Sequence, residues 1–78
     1  MQVVVNVFLK NGVLDPQGKA LEKALHSLNF SRVKEVRMAK QLKIELDESD
    51  TQKAKELVAK MCEELLVNSV IEDYEILL

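Results

Sequence analysis

Residues 11 to 21 read NGVLDPQGKAL, placing Gly12 upstream of a Gly18-Lys19 pair. A phosphate-binding loop uses the same residue types: glycine amides cradle phosphates, Lys reaches the terminal ones, and a following Ser or Thr hydroxyl holds magnesium. Here the spacer is one residue longer than such a loop allows, and Ala20 stands where the hydroxyl is needed. Pro16 removes one amide of the helix start, and the Asp15 carboxylate occupies or repels the anion's place. The stretch therefore predicts a strand end, a tight turn and a self-capped helix start rather than a nucleotide cradle.

The other reactive side chains are sparse. His26 is the single histidine and flanks an apolar helical stripe, with no second imidazole to share a metal. Cys62 is the single cysteine; it lies in the middle of a second stripe, where a thiol packs as a small apolar group. No disulfide can form within the chain, and the composition suits a reducing compartment. The serines stand in no nucleophile-elbow motif, while Ser49 and Thr51 belong to a helix start. Neighbouring carboxylates at Glu63-Glu64 and Glu72-Asp73 point in different directions on a helix or strand, so solvation explains them. No catalytic, cofactor-binding or metal-ligating residue is expected. The basic run Arg32, Lys34, Arg37, Lys40 and Lys43 is interrupted only by Glu35; it suits either an acidic partner surface or a solvated strand face. It lacks the aromatic platforms of a nucleic-acid-binding strand.

These residues must be positioned by few elements. Val3, Val5, Val7 and Leu9 alternate, predicting a strand with one buried face that ends at Asn11-Gly12. Asp15-Pro16 starts a helix whose Ala20, Leu21, Ala24, Leu25 and Leu28 form a stripe, ended by Asn29 in a left-handed cap. Residues 33–46 read as extended, either one bent strand or a hairpin turning near Ala39-Lys40; the lack of turn residues favours a bulged strand. DESDT caps a second helix carrying Ala54, Leu57, Val58, Met61, Cys62, Leu65 and Leu66, and Asn68-Ser69 breaks it. VIEDYEILL closes the chain as a strand apolar on both faces, buried on both or paired with another subunit. The order predicts an α+β two-layer sandwich: a mainly antiparallel sheet of three to four strands with both helices on one face, close to a ferredoxin-like arrangement.

At 78 residues the chain makes one domain, 1–78, with a core built from aliphatics because Phe8, Phe30 and Tyr74 are its only aromatics. Small aliphatic cores are often completed by oligomerisation. The net charge of -2 disfavours nucleic acid as the main partner. Residues 1–46 carry eight basic and four acidic side chains, a balance of +4, whereas 47–78 carry three and nine, a balance of -6. Such a split suits charge complementarity between subunits or two differently solvated surfaces. The apolar run at the start is far short of a membrane span, so the expectation is a soluble cytoplasmic protein with no membrane partner.

Taken together, LKNGVLDPQGKALEKALHSLNF, VKEVRMAK and MCEELLVNSVIEDYEILL resemble the PurS family, the small subunit of three-part phosphoribosylformylglycinamidine synthase. The most specific parts are GVLDPQGKA and VIEDY, and the resemblance spans nearly the whole chain. It implies a place in an ATP- and glutamine-dependent carbon–nitrogen ligase of purine biosynthesis. There a large synthetase subunit, with ATP and magnesium, activates formylglycinamide ribonucleotide, and a glutaminase subunit releases ammonia. The small subunit bridges them without catalytic groups and associates with itself as a dimer or tetramer. Asp15, Gly18, Lys19, Arg37, Lys40 and the segment Ile71, Glu72, Asp73 and Tyr74 are the candidate interface residues. The side chain missing at Gly18 points to close approach by another backbone, expected to be that of another subunit. Ala39, Asn29 and Ser69 replace turn residues expected in the family. A free-standing ferredoxin-like regulatory or ligand-binding dimer is the alternative.

Overall fold

The computed structural model describes residues 1–78. The first strand, β1 (Gln2–Leu9), is central in a three-stranded antiparallel sheet. Its neighbours are β2 (Ala39–Glu45) and β3 (Glu72–Leu77), in the order β2-β1-β3. Branched side chains fit this pleated surface, and the register stacks Val3 against Ile44 and Val5 against Leu42 and Ile76. On the other face, Asn6 accepts a bond from Gln41 Nε2 at 3.0 Å and donates one to Glu75 Oε1 at 2.9 Å. This polar ladder crosses the middle of the uncovered face, which also carries Val4, Phe8 and Leu77.

Helix α2 (Thr51–Met61) covers the apolar face, starting where the Asp50 carboxylate accepts the Lys53 amide at 3.0 Å. Ala54, Val58 and Cys62 recur every four residues and join Val3, Val5, Val7 and Val67 in the core. The side chain of Val58 is fully buried, and burial of a valine contributes about 1.5–3 kcal/mol. Residues Cys62–Leu66 then form a π-helical turn closed by the Val67 amide on the Cys62 carbonyl at 3.0 Å. The extra residue rotates the stripe, so Leu66 stays half-buried while Leu65 turns out, 83% exposed.

Helix α1 (Pro16–Ser27) is placed differently from expectation. The α+β class and the antiparallel sheet hold, but only α2 covers the sheet. Ala20, Leu21, Ala24 and Leu28 are exposed, and α1 contributes no residue to the core. The chain measures 49 × 24 × 14 Å with a radius of gyration of 16.0 Å, against about 11–12 Å for a compact domain of this length. Together, α1 and its return segment, residues 28–38, form an arm. At its tip the Phe30 amide donates to the Leu25 carbonyl and Asn29 to His26, both at 3.0 Å, with Asn29 at φ 73°. That is the left-handed cap expected of Asn29.

Residues 33–46 are neither a bulged strand nor a hairpin: only Ala39–Glu45 pair with β1. The amide of Met38 is bonded to a side chain instead of the ladder, so pairing starts one residue later. Ala39 has no positive φ, so an alanine there carries no backbone strain. Val70 and Ile71 lie in a turn before β3 rather than in the strand. Asn68 builds that turn, its carbonyl accepting the Ile71 and Glu72 amides.

Candidate functional site

The most connected feature outside the core lies where the arm leaves the sheet. Asp15 caps α1 by accepting the Gly18 amide on Oδ1 at 2.9 Å. Its Oδ2 accepts the Met38 amide, 23 residues away, at 2.7 Å. Two charge-assisted bonds to one carboxylate thus join the outgoing and returning halves of the arm. Those amides, of Gly18 and then Met38, hold the Asp15 carboxyl below the ordinary carboxylate range, with the Arg37 charge adding to the effect.

Gly18 is buried, and a Cβ built there collides with the Val36 carbonyl oxygen. The backbone that demands a glycine therefore belongs to the same chain, which corrects the expectation that another subunit supplies it. Arg37 completes the junction: its guanidinium donates to the Leu9 and Lys10 carbonyls, both at 3.2 Å, where β1 ends. Val36, Arg37 and Met38 are consecutive residues held by three separate contacts, and we refer to this junction as the clasp.

The remaining candidates fall around it. Lys40 Nζ and Glu72 Oε2 are 4.0 Å apart across the end of the sheet, and Lys10 Nζ meets Asp73 Oδ1 at 2.8 Å. A groove beside the clasp, with a volume of about 500 Å³, is lined by Leu14, Asp15, Met38, Lys40 and Glu72 among others. Lys19 lies outside the clasp and pairs with Glu22 at 3.3 Å along α1. The Ile71 carbonyl accepts the Lys10 amide at 2.8 Å. Tyr74 packs against the core opposite Val7; burial pushes its hydroxyl pKa up, helped by Cys62 and Glu63.

The other reactive groups already have structural roles. Burial, then Glu63, raises the Cys62 thiol, so it remains protonated inside the core. His26 Nε2 lies 2.7 Å from the Val33 carbonyl and ties the arm's two halves together. No three His, Cys, Asp or Glu side chains converge to hold a metal ion.

What the fold leaves open is apolar surface. Leu14 is 82% exposed, Leu28 66% and Phe30 57%, all on the arm or its root. Between residues 16 and 38 five Lys or Arg accompany only two Glu, so the apolar arm is also basic.

A family model described as PurS, phosphoribosylformylglycinamidine (FGAM) synthase, matches residues 2–78. The chain belongs to the PurS family. The PurS subunit of Bacillus subtilis phosphoribosylformylglycinamidine synthase is 48% identical over 73 residues, covering 94% of this chain and 86% of its own. The crystal structure of Methanocaldococcus jannaschii PurS, one of the subunits of formylglycinamide ribonucleotide amidotransferase, superposes with a TM-score of 0.89 at 45% identity. That match covers 97% of this chain and 92% of the other. A chain in the structure of PurLQS from Thermotoga maritima superposes with a TM-score of 0.88 at 37% identity, covering 97% and 93%.

Within this PurS-family chain, Asp15, Gly18 and Arg37, expected from the sequence to contact another subunit, meet one another's segments inside the chain instead. The sequence reading missed Val36 and Met38, because they act through a carbonyl and an amide that carry no side-chain signature. The arm's exposed leucines were visible as a stripe, but a stripe does not say whether its own sheet or another surface receives it. No helix is long and apolar enough to cross a membrane.

Proposed function

We propose that this chain is the small assembly subunit of phosphoribosylformylglycinamidine synthase, holding the glutaminase and the ATP-dependent synthetase together so that ammonia passes between them without escaping. The observation that carries this reading is the full-length match to a chain of the Thermotoga maritima PurLQS structure. The local chemistry agrees with it: His26, Cys62 and Asp15 are each engaged in structural contacts, and the distinctive surface is an apolar basic arm. In this reading ATP and magnesium belong to the synthetase subunit, and the complex works in the cytoplasm.

The arm's partner in this reading is a second copy of the chain. Helix α2 lies toward β3, leaving Leu42 and Ile44 of β2 half-buried and Leu57 of α2 exposed. A second α1 has the apolar stripe to cover that vacancy. The basic arm also complements the C-terminal half, whose balance is three basic to nine acidic residues. A core of only seven buried side chains gives the lone chain little stability, which mutual covering increases.

The test is co-elution on size exclusion of the purified chain with the glutaminase and synthetase subunits, in the presence and absence of glutamine and ATP. A stable three-component species supports the reading. Elution of the chain alone under every condition contradicts it.

A further inference from the structure

The arm is attached to the body at one place. It sends no residue into the core, so its direction is set where residues 13–18 cross residues 36–38. At that crossing Asp15 is the one side chain bonded to both strands of the arm, at 2.9 Å to the Gly18 amide and 2.7 Å to the Met38 amide. The absent side chain at Gly18 lets the Val36 carbonyl sit against α1, and Arg37 fastens the same segment to the end of β1. From these contacts we infer that Asp15 is a positioning residue, locking the arm at a fixed angle so that it meets the second copy already oriented.

This inference rests on the self-association reading above and adds the mechanism that prepares the arm. An element held in its bound direction loses less freedom on docking than one that swings. The cap alone does not require a carboxylate, because a serine hydroxyl caps a helix nearly as well. The two amides are bound by different oxygens of the carboxylate, Gly18 by Oδ1 and Met38 by Oδ2, and a serine has one oxygen on a shorter side chain. The second carboxylate oxygen is what turns a cap into a clasp. Asp50 makes the comparison within the same chain: its carboxylate caps α2 through the Lys53 amide and bonds no second, distant amide.

The experiment compares the full-length chain with Asp15→Ser and Asp50→Ser. Amide hydrogen exchange is followed at Met38, and sedimentation over a range of concentrations measures self-association. The expected result is that Asp15→Ser loses Met38 protection and raises the dimer dissociation constant by about tenfold, while far-UV circular dichroism stays native. Asp50→Ser should change neither Met38 exchange nor association to a similar degree. Unchanged Met38 protection in Asp15→Ser, or association equal to the wild type, overturns the inference. An effect of Asp50→Ser on association as large as that of Asp15→Ser also overturns it, since general helix fraying then suffices. A wild type that is monomeric at every concentration overturns the self-association reading itself, and Met38 exchange alone then decides the clasp.

Discussion

The Oδ2 atom of Asp15 accepts the backbone amide of Met38 at 2.7 Å, a bond between residues 23 positions apart that replaces the first rung of the sheet. Because both Asp15 bonds favour the ionised carboxylate, its pKa is lowered from 3.8. Its stabilising contribution is fully present above that unfolded value and disappears as pH falls through the lower folded one. Urea midpoints measured from neutral pH down to acid should therefore fall on the acid side, and Asp15→Asn should flatten that limb. An equally steep limb in Asp15→Asn shows that other groups carry the acid sensitivity.

Gly18→Ala separates two opposing effects. Alanine improves helix propensity by about 1 kcal/mol, yet its Cβ collides with the Val36 carbonyl. Overpacking costs about 1–3 kcal/mol, so net destabilisation is expected in equilibrium urea unfolding. A stabilised variant indicates that the return segment moves away freely.

Sequence and structure agree most closely where local chemistry decides the outcome. The alternation of Val3, Val5 and Val7, the Asp15-Pro16 helix start and the Asn29 cap each depend on near neighbours, and each was legible. The arm was not, because the stripe of Ala20, Leu21, Ala24 and Leu28 has the same pattern whether the helix covers its own sheet or another. The first part of residues 33–46 misled for a related reason: extended residues look like a strand whether their amides join a ladder or a carboxylate. Gly18 carried a true signal of close approach but not the identity of the approaching backbone.

Leu21→Glu probes the arm directly. Leu21 is 45% exposed and outside the core, so the variant should keep the circular dichroism spectrum of the folded chain. Placing a charge in a buried interface position removes about 2 kcal/mol or more of binding. The dimer dissociation constant in sedimentation should rise by roughly 30-fold or more. Association unchanged from the wild type places the interface elsewhere.

Cys62 should resist a thiol reagent in the folded chain and react once the chain is unfolded, because its fully buried side chain is held protonated. Cys62→Ser buries a hydroxyl among valines and should cost about 1–3 kcal/mol in urea unfolding. Rapid labelling of the native chain contradicts a core role.

The most direct test of assembly without catalysis is glutamine-dependent formation of formylglycinamidine ribonucleotide by the glutaminase and synthetase subunits, assayed with and without this chain. The account predicts that turnover with glutamine requires the chain, whereas turnover with high ammonia continues in its absence. Undiminished glutamine-dependent turnover without the chain contradicts the account.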